Sequence, residues 1–182
     1  DTALNAATSI SAGIGYRAAT LNGEALTFSG TALTATVVLP ISDAAAGNAW
    51  NLIGNPYPSY IAFDAFFQLN KDQFDSGTAY QAIYGYNGDV SNGWTVWNQA
   101  TIDEGSDIEL IAPGQGFFVK AKSGGGTVNF KPQMRTSGNA DDFIPGRQLI
   151  TNAVLSKLNL NSASNNTSTS IYFIEGIFKF LL

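Results

Sequence analysis

The chain has 182 residues, of which 45% are hydrophobic and only 13% are charged, and its formal net charge is −5. A chain of this length and hydrophobic content can bury a sizeable core, which excludes a disordered protein. Its nine Lys and Arg residues are scattered, so we expect neither nucleic acid nor an anionic membrane as a partner, because both need clustered basic side chains. No apolar run approaches the roughly 20 residues of a membrane span, so we expect no membrane insertion.

Chemistry that depends on histidine or cysteine is excluded, because the chain contains neither residue. Ser-His and Cys-His catalysis are therefore ruled out, and a zinc or copper site is not expected. Paired-carboxylate chemistry stays open, since a polysaccharide-cleaving enzyme needs two carboxyl groups about 5 to 10 Å apart. No spacing among the 14 Asp and Glu residues indicates such a pair, so catalysis is the weaker alternative.

Short β-strands are predicted from the beginning of the chain. Alternating and β-branched runs indicate strands at 14–20, 24–30 and 33–39, and Asn22-Gly23 is a strong hairpin signal between the first two. Residues 1–12 lack the basic start and apolar run of a signal peptide, so we expect a mature fragment cut from a longer chain.

The stretch GNAWNLIGNPYPSY, residues 47–60, contains the sharpest break in the pattern. Its first half predicts a buried strand, with Trp50 and Leu52 pointing into the core. Its two prolines cannot donate ladder hydrogen bonds, so the strand has to end before them. Ser59 is then placed to cap one short helix. The apolar residues at helical spacing after it are Ile61, Phe63, Phe66, Phe67 and Leu69.

Three further strand pairs are predicted in the rest of the chain. They are 79–86 with 93–99, 116–122 with 127–131, and 154–160 with 170–174. Residues 100–110 are acidic and polar, and no helix or strand is predicted there. The last residues, 177–182, are strongly apolar, and we expect them to pack against the sandwich or a neighbouring chain.

These elements predict an all-β fold for residues 1–182, a single mainly antiparallel β-sandwich of jelly-roll or immunoglobulin-like type with one short helix. A G-x-G-aromatic pattern precedes a strand at Gly13 and again at Gly114. Residues 10–40 and 111–135 are therefore candidate pseudo-repeats. No third glycine opens a helix, so neither pattern is that of a dinucleotide-binding site. We therefore expect these glycines to allow close approach of the backbone where a strand begins.

The candidate ligand-binding residues lie on the predicted hairpin that is rich in Asn and Gly. They are Tyr84, Tyr86, Trp94 and Trp97. Aromatic faces beside polar groups hold sugar rings in many secreted β-sandwiches. Strand alternation turns Trp94 and Trp97 to opposite faces, so at least one of the two is predicted to be buried.

Calcium is the candidate cofactor, because hard cations bind clustered carboxylate and backbone oxygens in loops. The candidate ligands are Asp72, Asp75, Asp103 and Asp107. These residues lie in the segments 70–75 and 103–107, and neither segment has the pattern of an EF-hand calcium loop. A role in turn formation or in solubility would explain the presence of the same acidic residues.

Three segments carry a family resemblance: WNLIGNPYPS at 50–59, IYGYNG at 83–88 and IAPGQGFFV at 111–119. The first resembles the W-N-L-[IV]-G-N-P-Y-P-S signature of secreted, multidomain surface proteins of Bacteroidetes-type bacteria. In those proteins the β-sandwich module lies shortly upstream of a C-terminal sorting domain for type IX secretion. The resemblance implies an extracellular or cell-surface location and supplies no catalytic residues.

The sequence therefore predicts a non-catalytic structural or adhesive module of a secreted or cell-surface bacterial protein, with neighbouring domains of that protein as partners. The alternative is a carbohydrate-binding module attached to a polysaccharide-degrading enzyme, with a polysaccharide as partner. An exposed coplanar strip of aromatic rings would favour this alternative. A carboxyl pair in a deep cleft would favour a polysaccharide-cleaving enzyme.

Overall fold

The structure is a computed structural model, and it describes residues 9–17, 29–44, 49–77, 79–86, 93–104, 109–138 and 143, with the backbone of residues 154–161 and 166–173. In chain order the strands and helices are β1 (Val37–Ile41), β2 (Trp50–Gly54), β3 (Tyr60–Ala62), α1 (Phe63–Asn70), β4 (Ile83–Tyr86), β5 (Trp94–Trp97), α2 (Gln99–Glu104), β6 (Leu110–Ile111), β7 (Gly116–Lys120), β8 (Gly126–Phe130), β9 (Arg135–Thr136), β10 (Val154–Asn161) and β11 (Asn166–Phe173). The paired strands are all antiparallel. This confirms the predicted all-β, sandwich-like fold with a short helix.

The largest sheet, called the main sheet below, has the strand order β2-β7-β4-β5. Residues directly opposite each other in an antiparallel pair share a face, and successive residues alternate between the two faces. Ile53 lies opposite Phe117, and Ile83 lies opposite Trp97. All of these side chains are buried, so they mark the inner face of the main sheet, which covers the core.

The proline turn after β2 is fastened by the buried side chain of Asn55. Its amide group donates to backbone carbonyls, those of Ser59, Ile111 and Ala112, at 2.8, 3.2 and 3.0 Å. Its Oδ1 accepts the N–H of Tyr57 at 3.0 Å, and its own N–H donates to the Gln115 carbonyl at 3.0 Å. One side chain therefore fixes the turn and the segment that leads into β7.

Tyr57 joins the same turn to the second sheet, which consists of β1 and β8. Its buried hydroxyl lies 3.0 Å from the carbonyl oxygen of Ala35 and 2.8 Å from that of Phe130. Burial raises the pKa of Tyr57 above its ordinary value, because an ionised phenol would lose its contacts with water. The neutral hydroxyl therefore ties the turn to the end of β8.

Helix α1 fills the core through Phe66, which is fully buried. The Phe66 ring meets Phe117 of the main sheet edge-on, with centroids 5.4 Å apart, and stacks on Phe130 of the second sheet at 5.1 Å. Phe63, at the start of the helix, lies 5.3 Å from Trp97. Such aromatic contacts add to the burial of large apolar area, so Phe66 links both sheets in one core.

The edges of the second sheet are protected against further strand pairing. On β8 the Asn70 side chain accepts the N–H of Asn129 at 2.8 Å and donates to its carbonyl at 3.0 Å. The Gln73 Oε1 accepts the N–H of Thr127 at 3.2 Å. On β1, Pro40 has no N–H to donate. Side-chain amides from α1 and the following 3-10 turn thus replace a neighbouring strand.

The prediction that Trp50 and Leu52 point into the core is wrong. Both side chains are half-buried and lie on the outer face of the main sheet. The reason is that Ile53, at the end of β2 next to the proline turn, is the residue that points into the core, at 1% exposure. Leu52 and Trp50 therefore face the opposite way.

The predicted hairpin around Gly124 and Gly125 is also wrong. Strand β7 pairs with β2 and β4, whereas β8 pairs with β1. Both glycines have positive φ, and a Cβ on Gly125 would lie 2.9 Å from the Ile41 carbonyl oxygen. The glycine turn therefore carries the chain from one sheet to the other, which places Phe117 and Phe130 on opposite sides of the core.

Several predicted boundaries are shifted. The strand predicted at 33–39 begins at Val37, and of the strand predicted at 14–20 the described residues form one bridge, Ile14 with Ile53. Most of the strand predicted at 24–30 lies outside the described residues. Residues 100–104, for which no helix is predicted, lie in α2, and the residues before α1 form β3.

The start of α1 differs from the prediction because Ser59 does not cap it. Its N-cap is Ala62, without a side-chain bond, and the Phe63 N–H donates instead to the Glu109 carbonyl at 2.9 Å. The Ser59 hydroxyl accepts from Arg135 Nε at 3.3 Å. Neither helix in the described part of the chain has the length and apolar character needed to cross a membrane.

Two further features lie towards the end of the chain. Phe143 is fully buried, and its ring centroid lies 4.5 Å from that of Trp97. The predicted pairing of 154–160 with 170–174 is confirmed, since β10 and β11 pair with Val154 opposite Phe173. The apolar residues 177–182 lie outside the described residues.

We expect Asn55→Ala to lower the free energy of unfolding by about 3 kcal/mol or more, since each buried polar group left unsatisfied costs roughly 1–3 kcal/mol. Asn51→Ala is the matched control. The Asn51 amide also bonds to backbone groups, those of Ser42 and Ala49, but in a more exposed position where water can replace it. Urea denaturation measures both variants, and equal losses would contradict the role given to Asn55.

Phe66→Ala should lower the free energy of unfolding by about 3–5 kcal/mol, the usual range for deleting a buried aromatic ring. Trp50→Ala removes a larger but half-buried side chain from the outer face, so we expect about half that loss. Thermal unfolding followed by circular dichroism compares the two variants. A greater loss at Trp50 would mean that the core is assigned to the wrong face.

Candidate functional site

The outer face of the main sheet carries an unusual concentration of large apolar side chains, which we call the outer aromatic face. The register aligns them on one side: Leu52 and Tyr84 both lie opposite Phe118, Tyr86 lies opposite Trp94, and Trp50 lies opposite Lys120. The members of the face are Trp50, Leu52, Tyr84, Tyr86, Trp94, Val96, Phe118 and Lys120. This face is directed away from the core.

The rings of this face contact one another in sequence across the strands. Trp50 meets Tyr84 with centroids 4.9 Å apart, Trp94 lies 4.9 Å from Tyr86, and Trp94 lies 5.7 Å from Phe118. The planes of these pairs are inclined by 87°, 51° and 67°. Edge-to-face contacts hold the rings in place, but they also mean that the rings share no common plane.

The structure brings together three of the predicted ligand-binding residues and separates the fourth. Tyr84, Tyr86 and Trp94 lie on the outer aromatic face, and Tyr86 and Trp94 are 43% and 46% exposed. Trp97 is 8% exposed and packs in the core against Phe63. Burial therefore removes Trp97 from the candidate site, and the predicted division of the two tryptophans between opposite faces is confirmed.

Tyr84 lies in the middle of the face and is held there by a polar contact. Its hydroxyl donates to the backbone carbonyl of Ala79. Burial raises the pKa of Tyr84 above its ordinary value, so the hydroxyl stays protonated at neutral pH and keeps its role as a donor.

The charged side chain of Lys120 lies at one end of the outer aromatic face. The Lys120 ammonium lies 2.9 Å from Asp75 Oδ2 and 3.5 Å from the centre of the Tyr80 ring. The Tyr80 ring in turn meets Trp50 edge-on at 6.1 Å. The Asp75 N–H also donates to the Lys120 carbonyl at 2.9 Å. These contacts fasten the segment from Asp75 to Tyr80 beside the face.

The acidic residues predicted to bind calcium are not gathered into one site. Asp75 is bonded to Lys120, so a cation would have to displace an ammonium group there. Asp103 lies on α2 and accepts from Gln99, Asp72 is exposed, and Asp107 lies outside the described residues. Within the described ranges no group of three or more acidic side chains lies close enough to hold a metal ion.

Sequence reasoning missed the part of the face contributed by β2 and β7. Trp50, Leu52 and Phe118 were expected in the core or left unassigned. The available signal was Lys120, which has to reach water. Residues two apart on a strand share a face, so an outward Lys120 indicates an outward Phe118 and, through pairing, an outward Leu52 and Trp50.

We predict a small acid-sensitive contribution from Asp75. A hydrogen bond from Lys120 and another from the Gly77 N–H hold the pKa of Asp75 below its ordinary value of 3.8. The ionised carboxylate therefore stabilises the folded chain above that value, and the contribution is lost as pH falls through the lowered pKa. The melting temperature of the wild type should exceed that of Asp75→Asn at neutral pH, and the difference should vanish in strong acid.

The control for this measurement is Glu104→Gln, an exposed acidic residue on α2. This variant removes a negative charge without breaking a salt bridge, so it should lower the melting temperature at neutral pH less than Asp75→Asn does. A difference between wild type and Asp75→Asn that stays constant into strong acid would show that the pair with Lys120 contributes nothing.

Comparison with known proteins adds one match. A family model described as a domain of unknown function (DUF8693) matches residues 2–176. No curated protein and no solved structure shows significant similarity to the chain. Because the family model covers almost the whole sequence, the chain belongs to the DUF8693 family, whose function is unknown.

Proposed function

We propose that this chain is a non-catalytic structural or adhesive module of a secreted or cell-surface bacterial protein, and that it binds its partners through the outer aromatic face. The observation that carries the proposal is the exposure of large apolar side chains side by side. Trp94, Tyr86 and Val96 are 46%, 43% and 41% exposed. Soluble domains rarely leave contiguous apolar patches in water unless the patch binds something.

The rigidity of the face supports the same proposal. Its strands are anchored from the other side by buried residues such as Ile83 and Phe117, and its rings brace one another through edge contacts. Binding through preordered side chains loses little conformational entropy. Tyr and Trp are also the residues that are most enriched at the centres of protein interfaces.

The secreted or surface location rests on the resemblance of residues 50–59 to the signature of bacterial surface proteins. In such a setting the neighbouring domains of the parent protein are the first partners of the face. The module then either spaces those domains or attaches the protein to a surface.

The setting of the acidic side chains supports a non-catalytic role. Asp75 is bonded to Lys120, Asp64 accepts the Ala65 N–H, and Asp103 accepts from Gln99. Glycoside cleavage needs two carboxyl groups that face each other across a substrate cleft. Asp64 and Asp103 lie on the helices, away from the outer aromatic face, and Asp75 lies at its end, bonded to Lys120.

A carbohydrate-binding module is the second candidate, favoured by the adjacent exposed rings of Tyr86 and Trp94. Sugar rings stack their apolar C–H faces on aromatic rings, with polar groups fixing orientation. Because the two planes differ by 51°, the face offers no flat strip for a crystalline polysaccharide. It fits a soluble, bent chain that touches one or two rings.

We expect a sensor coated with a protein such as collagen or fibronectin to retain the chain from solution. Trp94→Ala should weaken this retention about ten-fold or more. A loss of roughly 1.4 kcal/mol corresponds to tenfold in affinity, and exposed tryptophans at interfaces often contribute more. Leu69→Ala is the matched control, since Leu69 is 41% exposed on α1. Biolayer interferometry measures all three proteins.

The same measurement on soluble xylan, pectin and alginate separates the two candidates. Retention on a polysaccharide alone, weakened by Trp94→Ala, would replace the adhesive proposal with the carbohydrate-binding one. Retention on neither class of surface would contradict both the adhesive role and the carbohydrate-binding role of the face. Release of reducing ends from any polysaccharide would contradict the non-catalytic assignment.

A further inference from the structure

Tyr80 is an exposed aromatic residue that lies outside the strands but beside the outer aromatic face. It is 39% exposed and comes shortly before β4 in the chain. Its ring meets Trp50 edge-on with centroids 6.1 Å apart, and Trp50 meets Tyr84 at 4.9 Å. Tyr84 in turn meets Trp94 at 6.5 Å. The row of rings therefore continues beyond the sheet and has an exposed ring at each end.

Three neighbours hold the Tyr80 ring in place. The Lys120 ammonium lies 3.5 Å from the centre of the ring, and Trp50 touches the ring edge-on. The Tyr80 N–H donates to the Gly77 carbonyl at 2.7 Å. Gly77 also leaves room for the ring, since a Cβ there would lie 3.0 Å from Tyr80 Cδ2. An exposed ring that is fixed in this way loses little conformational entropy when a partner binds to it.

Asp75 fixes the lysine that lies over the Tyr80 ring. Lys120 Nζ lies 2.9 Å from Asp75 Oδ2, and the two side chains are only 21% and 32% exposed. Asp75 Oδ1 accepts the Gly77 N–H at 2.8 Å, and the Asp75 N–H donates to the Lys120 carbonyl at 2.9 Å. One carboxylate therefore holds both the ammonium group above the ring and the turn that leads to Tyr80.

We infer that Tyr80 is a further binding residue of the outer aromatic face and that the ion pair between Asp75 and Lys120 positions it. The inference rests on the proposed function, because it concerns the partner of the same face. The occupant is an extended, uncharged segment of a partner protein. It lies along the row of rings and touches Trp94 at one end and Tyr80 at the other.

The charges beside the face favour an uncharged segment. Among the members of the outer aromatic face only Lys120 is charged, and its ammonium is already paired with Asp75. A charged side chain of the partner would lose water on this surface without gaining an opposite charge in exchange. The net charge of −5 on the whole chain disfavours an acidic partner in addition.

The arrangement of the rings favours an extended segment over a single inserted side chain. Trp50 and Tyr84 lie between Tyr80 and Trp94 in the row, and both are half-buried. One inserted side chain would reach only one of the two exposed ends. No step in the row exceeds 6.5 Å. About six residues in extended conformation, at roughly 3.3 Å per residue, therefore cover the row.

Tyr80→Ala should weaken retention on the protein-coated sensor about five-fold or more, as expected for an interface residue that contributes to binding. Tyr80→Phe keeps the ring and should bind as the wild type does. Leu69→Ala, which removes a side chain that is 41% exposed on α1, is the control.

Trp94→Ala, measured in the same series, separates two kinds of failure. If Trp94→Ala weakens retention and Tyr80→Ala does not, the inference is wrong and the proposed function stands. If the sensor does not retain the wild type, the proposed function is wrong and the inference falls with it.

Gly77→Ala tests the position of the ring without removing it. The added methyl group would lie 3.0 Å from Tyr80 Cδ2 and 3.2 Å from Asp75 Oδ1, so we expect it to displace the ring and to weaken retention as Tyr80→Ala does. Gly30→Ala is the matched control, since a Cβ at Gly30 meets nothing within 4 Å. Circular dichroism checks that both variants fold. Equal retention of the two variants would overturn the inference.

A double-mutant cycle tests whether Asp75 acts through Tyr80. Asp75→Asn should weaken retention about two-fold in the wild type, the scale of a partly exposed ion pair. It should cause no further loss in the Tyr80→Ala variant, because residues that act through one another are not additive. An equal loss in both backgrounds would overturn the positioning role.

Nuclear magnetic resonance tests the positioning role without a partner. Because the Lys120 ammonium lies over the Tyr80 ring, the ring current should move the signals of the Lys120 side-chain methylene groups upfield. Tyr80→Ala should abolish this shift, and Asp75→Asn should reduce it. A Lys120 spectrum that Asp75→Asn leaves unchanged would show that the ion pair does not position the ring.

Discussion

The fold depends on the polar anchor that ends β2. Two prolines after Gly54 stop the sheet ladder, and the backbone groups that they leave behind must find partners inside the protein. Asn55 provides partners by accepting the Tyr57 N–H and donating to the Ser59 carbonyl. It also donates to the carbonyls of Ile111 and Ala112, far along the sequence. The turn after β2 and the approach to β7 are therefore held at one point, and this sets the register in which Ile53 meets Phe117.

The division of the main sheet into two different faces follows from that register. With Ile53 and Phe117 directed inwards, alternation sends Trp50, Leu52 and Phe118 outwards. The inward residues pack on α1 through Phe66, which is fully buried between the two sheets. The outward residues are as large and as apolar, but no comparable layer of described residues covers Trp94. One pattern of alternation thus produces both the core and the candidate binding surface.

The sequence was sufficient for the features that depend on local pattern. Strand β2, the pairing of β4 with β5, and the pairing of β10 with β11 follow from alternation between turn residues. It was insufficient where a local signal competes with a tertiary one. The glycine turn near Gly124 looks like a hairpin, because glycines serve equally well to reverse a strand and to carry it to another sheet.

The candidate site was predictable in part for the same reason. Alternation predicts that Trp94 and Trp97 face opposite ways and that at least one of them is buried, but it does not say which, and the structure buries Trp97. Trp50 was assigned to the wrong side because aromatic residues in apolar strands usually lie in cores. Only the pairing of β2 with β7, which joins residues far apart in sequence, reveals that Trp50 faces the same way as Lys120.

The tilt of the rings follows from the same contacts that order them. Trp94 meets Tyr86 and Phe118 at planes inclined by 51° and 67°, and inclined contacts of this kind are the arrangement that neighbouring aromatic rings prefer. A face whose rings are held in place by one another is therefore not a flat one. A partner of the outer aromatic face would touch one or two rings at a time, so the shape of the surface restricts what it can bind as much as its apolar character does.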